Sequence, residues 1–330
     1  MQQCNCSPTE INYKVSIKDT RDKGTLIQIH EYLQTKEWFI QLQNNEVHIR
    51  EAGVMDFYDF CMDHMNVDQM TFCTTNQGSY LPFREITKVA GAKWVDSVIK
   101  DHQVESWAQQ IVDAEGSIYA HEILSRFVQA DGTIKTPDEV FAAAKLRNCL
   151  YALDRMCRLQ AVRQAVHLPK KVFINFIPTS IYSPQHCLQS TISLSRELGI
   201  DANKFVFEVV ETEYVEDLNH LKRILQYYTE QGFSYALDDV GAGFSTMDVL
   251  REIKPHYMKL DKKYVQGVSN DSSKQKIAEQ FLQAATEIQA VPLAEGVERI
   301  EDLEWLKQKG FQLFQGYLYG KPKPIRELFL

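Results

Sequence analysis

From residue 103 to the C-terminus, short β-type runs alternate with longer stretches whose apolar residues recur at helical spacing. The β-type runs cover 110–113, 118–124, 171–175, 205–210, 235–239, 257–260, 291–294 and 311–314. Helical patterning covers 138–166, 184–198, 215–231, 246–253, 274–288 and 301–309. Only 114–117 join the first two runs, a hairpin length, so these two strands are expected to be antiparallel. The remaining alternation of strand and helix predicts a parallel sheet with helices packed outside it. Eight strands over roughly 225 residues fit an α/β fold, a TIM-like (β/α)8 barrel with one antiparallel strand.

Ahead of this region the pattern is mixed. Residues 38–43 and 47–51 alternate apolar and polar positions around Asn44-Asn45, which reads as a hairpin. Residues 54–65 and 83–99 have helical periodicity, with Pro82 preceding the second, and 70–74 reads as a short strand. The expected organisation is a small α/β (α+β) domain over 1–102, regulatory, sensory or dimerising, followed by the barrel over 103–330.

Composition narrows the function. The 330 residues are 44% hydrophobic and 24% charged, as in ordinary globular proteins. A net charge of −8 and the absence of a basic stripe argue against a polynucleotide substrate. A small anion can still bind through local cations or metals. No apolar run approaches the ~20 residues of a membrane helix. Residues 1–10 lack the basic-then-apolar order of a signal peptide. The expectation is a cytoplasmic protein, away from the membrane, with its seven cysteines reduced. Cys4, Cys6, Cys61 and Cys73, with His30, His48 and His64 available, leave open a zinc site or redox switch. The plainer reading is a reactive tail and two buried thiols.

The chemistry gathers where strands end. Glu122, Asn175, Glu208, Asp238 with Asp239, Lys259, Glu295 and Gln315 each lie at or beside the C-terminal end of a β-type run. In a barrel that end is the functional face. Any single acid there can instead be a helix N-cap. Together, converging carboxylates repel one another, and divalent cations are the simplest remedy. Oxygen-only ligands suit Mg²⁺ or Mn²⁺. Neighbouring strand residues point to opposite faces, so Asp238 and Asp239 reach one site only where the backbone turns. Val240-Gly241-Ala242-Gly243 offers that flexibility. A carboxylate shared by two metals would set them about 4 Å apart, as in in-line phosphoryl displacement. The alternative is an acidic turn before a helix. A lysine inside a β-type run needs an anionic partner or a task, or else sits exposed at the strand end; beside metals, Lys259 can offset transition-state charge.

Seven ordered motifs resemble the EAL family. They are Tyr119-Ala120-His121-Glu122-Ile123-Leu124-Ser125-Arg126, Phe173-Ile174-Asn175, Glu208-Val209-Val210-Glu211, Asp238 to Ser245, Lys259-Leu260-Asp261, Glu295-Gly296-Val297-Glu298, and Gln315-Gly316-Tyr317 with Lys321-Pro322. The resemblance runs from about 103 to 325. It implies metal-dependent hydrolysis of cyclic di-GMP to linear pGpG, in a barrel whose second strand is parallel to the rest. By the same resemblance Glu122, Asn175, Glu208, Asp238 and Asp239 ligate two metals, Mg²⁺ or Mn²⁺, with Ca²⁺ inhibitory. Lys259 positions and helps activate the attacking water, Glu295 holds water near the metals, and Glu122 joins them in catalysis. Arg126, Gln315, Glu298 and Asp261 contact substrate. Glu211 braces the 239–245 loop, which the family links to dimer contacts, so a homodimer is expected. Ile123 and Val240 depart from the usual Ala and Phe, Gln312 from a common Asp, and 108–110 lack a usual proline. A receptor that binds cyclic di-GMP without cleaving it is the main alternative, but such a receptor is expected to have lost acids that are present here. A protein-interaction scaffold with a vestigial barrel is a third reading.

Overall fold

The computed structural model describes residues 11–18, 23–43, 45–75, 78–129, 132–210, 218–241 and 247–329. They form two compact units: residues up to 103 together with 129–153, and 104–128 together with the remainder from 154. No helix among the described residues is long and apolar enough to cross a membrane.

The first unit is built on a five-stranded sheet in the order Phe39–Gln43, Glu46–Arg50, Asn12–Ile17, Met70–Thr74, Leu81–Pro82. All its pairings are antiparallel. With the helices Lys23–Thr35 and Val54–His64 it makes a ferredoxin-like βαββαβ unit, extended by a fifth strand. The hairpin, the helix after it and the 70–74 strand match the patterning. The patterning does not predict the central strand Asn12–Ile17 or the helix Lys23–Thr35. In that helix Leu26, Ile29 and Leu33 are buried at helical spacing, but Ile27 and Tyr32 are exposed and blur the stripe. The expected 83–99 helix is a 3-10 turn plus Ile86–Gly91 and Trp94–Lys100, interrupted where Gly91 weakens it.

Residues 129–153 add the helix Pro137–Leu146 to this unit. Thr136 and Glu139 form a reciprocal capping box at its start, with Pro137 at the first helical position. The expected 138–166 helix is two, Pro137–Leu146 and Leu150–Gln164, separated where Asn148 turns left-handed at φ 52°. Beside that break Arg147 is buried. Its guanidinium donates to Glu51 (Nη2 to Oε2, 3.3 Å) and to Asp96 (Nε to Oδ1, 3.2 Å). Lys93 Nζ lies 3.4 Å from Glu51.

The second unit is a closed barrel. Glu105–Asp113, Ile118–Val128, Lys171–Asn175, Phe205–Val210, Ser234–Val240, Tyr257–Leu260, Val291–Ala294 and Leu313–Gln315 pair in ring order. Glu105–Asp113 runs antiparallel to both neighbours, and the other pairings are parallel. The first two strands extend well beyond the patterned runs, paired from Glu105 opposite Arg126 onward. The apolar floor takes one residue from every strand: Ile111, Ala120, Phe173, Val206, Ala236, Tyr257, Leu293 and Leu313. This closed layer packs the interior and leaves chemistry to the layer above it.

Candidate active and metal site

Side chains two apart on a strand share a face. Two positions beyond each floor residue, towards the C-terminal ends of the parallel strands, stand Glu122, Asn175, Glu208, Asp238, Lys259, Glu295 and Gln315. On the antiparallel strand the count runs backwards, from Ile111 to Gln109. A complete polar layer therefore lies on a complete apolar one. Seven of its eight positions match the sequence reading. Gln109 is the addition: it sits opposite Glu122, and its Oε1 accepts from Gln315 Nε2 at 3.1 Å. Counting inward positions along the antiparallel strand would have found it.

Lys259, fully buried, occupies the centre. Its Nζ lies 2.6 Å from Glu208 Oε1, 2.6 Å from Glu295 Oε1, 2.8 Å from Asp238 Oδ1 and 3.9 Å from Glu122 Oε1. Burial works against its charge, but Asp238, Glu122, Glu208 and Glu295 outweigh it and hold the ammonium well above the usual lysine range. Burial likewise drives the Glu208 and Glu295 carboxyls well above the ordinary carboxylate range, with neighbouring acids adding to the effect.

Glu122 is held from two sides. Asn175 Nδ2 donates to its Oε1 at 3.0 Å and Gln315 Nε2 to its Oε2 at 2.6 Å. The same Asn175 amide reaches Glu208 Oε2 at 3.2 Å, leaving the carbonyl oxygen for another partner. Asp154, buried with Arg158, accepts from Ile177 N at 3.0 Å and so fixes the chain just past Asn175. Ile123, 4% exposed, alternates to the other face and leaves both Glu122 hydrogen bonds intact.

Asp238 and Asp239 do reach one place. Asp238, Asp239 and Glu295 bring carboxylate oxygens within 4.8 Å of one another. The turn that permits this is at Asp239 itself, at φ 55°, together with a register shift between Leu237 and Val240. The sequence had placed the flexibility after the pair, at 240–243. A non-glycine residue held left-handed costs of order 1 kcal/mol and is concentrated at functional sites. Burial, then Asp238, raises the Asp239 carboxyl above its ordinary value.

A cleft of about 370 Å³ is bounded by Glu122, Glu295, Glu298, Gln315, Lys262 and Tyr317. Glu298 accepts from Gln266 Nε2 at 3.0 Å. Lys262 and Gln266 had no signal beyond their place after the Lys259 strand. Arg126 donates to the Ser125 carbonyl at 2.9 Å and stacks 5.4 Å from the Trp107 ring centroid. Asp261 does not line the cleft: it accepts from Lys263 N at 2.8 Å and pairs with its Nζ at 2.9 Å. Gly316 is required, because a Cβ there would lie 2.0 Å from the Val297 carbonyl oxygen. Glu211 and loop residues 242–246 lie outside the described residues, as do Cys4 and Cys6. Cys61 is buried, as expected, whereas Cys73 is only half-buried.

A divalent cation suits this donor set. Four carboxylates of the layer (Glu122, Glu208, Asp238 and Glu295), with Asp239 beside them, share a single ammonium. Glu208 Oε1, Asp238 Oδ1 and Lys259 Nζ are buried without a well-formed hydrogen bond, although they lie at ionic contact distance. Oxygen donors with an uncompensated negative charge are what hard cations bind.

Comparison with known proteins agrees with this geometry. Over 234 residues the chain is 31% identical to the Escherichia coli K12 protein named Probable cyclic di-GMP phosphodiesterase PdeG, covering 68% of this chain and 45% of that protein. The chain thus spans less than half the length of that relative. A c-di-GMP-bound standalone EAL protein from Vibrio cholerae O395 is 31% identical, with a TM-score of 0.60 over 67% of this chain and 93% of the other. A calcium and cyclic di-GMP complex of Klebsiella pneumoniae BlrP1, 20% identical, shares the fold over 95% of this chain and 98% of its own, with a TM-score of 0.60. The family model described as the EAL domain matches residues 92–322, more than two thirds of the sequence and every member of the polar layer, and this chain belongs to the EAL domain family.

Proposed function

We propose that this protein hydrolyses cyclic di-GMP to linear pGpG with the help of Mg²⁺ or Mn²⁺. The carrying observation is the polar layer: four carboxylates converge on one buried lysine, with Asp239 beside them, at the mouth of a barrel with an apolar floor. Water adds to phosphorus and the bond to one ribose 3′ oxygen breaks, leaving the phosphate on the 5′ side. Glu122, Asn175, Glu208, Asp238 and Asp239 would hold the cations, with Glu295 beside them. When bound, such cations supply charge stabilisation at the phosphoryl oxygens and ease ionisation of water.

The chain's own groups do the rest. Lys259, kept charged by its neighbours, orients the attacking water and offsets negative charge growing on the phosphoryl group. Asn175 and Gln315 fix the Glu122 carboxylate, so little reorganisation is needed as charge develops. Arg126 at the rim presents a planar donor fork that suits phosphate oxygens. Glu298 can accept from donors on a guanine edge.

The relatives named as cyclic di-GMP phosphodiesterases support the substrate. Residues 1–102 are left for regulation of the barrel. The test is chromatographic, with cyclic di-GMP and either metal beside a Glu122→Ala variant and a chelator. Metal-dependent pGpG from the unaltered protein alone is expected, with Ca²⁺ binding but not supporting product. Tight retention of intact dinucleotide without product under either metal would make the chain a receptor instead.

A further inference from the structure

The outer face of the strand bearing Glu122 holds a cavity that the proposed reaction does not use. Alternation turns Glu122 into the barrel and His121 out of it. His121 stands opposite Gln110, whose side-chain amide donates to the Tyr319 carbonyl. Against these residues lies a cavity of about 300 Å³, walled by Ile118, Leu168, Pro169 and Leu328. That volume falls at the small end of ligand pockets.

Two polar atoms in this lining are buried and make no hydrogen bond: Nδ1 of His121, a residue 7% exposed, and the Tyr319 hydroxyl. Orphaned polar groups of this kind are rare in folded proteins because each gives up its hydration without a replacement. Lys321 and Lys323 also line the cavity. Among the described residues neither pairs with a carboxylate; Lys321 instead lies 5.2 Å from the Tyr317 ring centroid. A purely apolar ligand would leave His121 and Tyr319 unsatisfied. An inorganic anion would leave the aliphatic wall bare.

We propose that this cavity binds a monocarboxylate with a hydrocarbon body. Its chain lies on Ile118, Leu168 and Pro169. Its carboxylate takes hydrogen bonds from the Tyr319 hydroxyl and the His121 ring and meets the ammonium of Lys321 or Lys323. The contact is non-covalent and separate from the cleft at the barrel mouth.

Sodium octanoate is the probe, with 1-octanol as its neutral counterpart. The readout is the His121 imidazole ¹H–¹³C signal in the full chain, assigned with a His121→Gln variant. A saturable shift with octanoate is expected, with 1-octanol at least about tenfold weaker. The exposed double substitution Lys321→Ala/Lys323→Ala should weaken octanoate by about tenfold or more while circular dichroism stays unchanged. The proposal is overturned if octanoate gives no saturable shift, if octanol binds as tightly, or if the double variant binds octanoate unchanged.

Discussion

Two clusters in this protein each set a buried cation among carboxylates, and they are built to different ends. In the first unit buried Arg147 and exposed Lys93 face Glu51 and Asp96, two positive charges for two negative. The arginine donates to both acids through its planar fork. In the barrel one lysine faces four carboxylates, with Asp239 beside two of them, and three of the buried charged atoms there lack a well-formed hydrogen bond. A balanced, hydrogen-bonded cluster holds a fold together, and removing one partner exposes the cost of the other. An unbalanced one is tolerated because something else completes it. Buried charge thus identifies a site only after the charges are counted.

The largest effect should separate the clusters outright. Glu122→Gln should lower pGpG formation by about 10³-fold. Because it removes a repelled carboxylate, it should leave the metal-free protein no less stable in urea. Loss of fold in parallel with activity would mean the two clusters are alike.

Arg147→Met should do the reverse. It strands Glu51 in a buried place and should cost about 3–5 kcal/mol in chemical denaturation. A cost below about 1 kcal/mol would show that the balanced cluster is not what holds the first unit.

Cations sharpen the contrast. Mg²⁺ or Mn²⁺ at about 100 times its dissociation constant should stabilise the protein by about 2.7 kcal/mol, seen as a higher melting temperature that a chelator reverses. Asp239→Asn should abolish most of that gain, whereas Arg147→Met should melt earlier yet gain as much on adding the metal.

The smallest effect tests the layer itself. Gln109→Leu removes an acceptor for Gln315 and should cost about 1 kcal/mol of stability. If Gln109 helps hold Glu122 through Gln315, turnover should also fall, by about tenfold. Unchanged turnover would confine the layer's function to the seven residues read from sequence.

Much of the barrel was legible along the chain. Most of its strands are short and bounded by helical stretches, and each parallel strand has, at or beside its C-terminal end, a polar residue that a buried strand would otherwise avoid. Lys171–Asn175, Phe205–Val210, Tyr257–Leu260 and Val291–Ala294 were read to the residue. The first two strands were read short. Their extra length comes from pairing with each other, and inward polar residues such as Gln109 break the apolar run that marks a buried strand. The central strand of the first unit escaped for a related reason: Lys14 and Ser16 alternate with Tyr13, Val15 and Ile17 over only six residues.

The sequence by itself determined which residues carry charge, that they lie at or beside strand ends, and that an acidic chain can bind a small anion only through local cations or metals. Those facts need only composition and period. Tertiary structure alone decided that Lys259 stands among the acids and that Gln109 closes the ring. It also placed the Asp238–Asp239 turn at Asp239 and divided the contacts so that residues 129–153 pack with the first unit. Those facts depend on register and closure. A strand's period tells which face a side chain takes, whereas the partner across the barrel is set only when all eight strands pair in a ring.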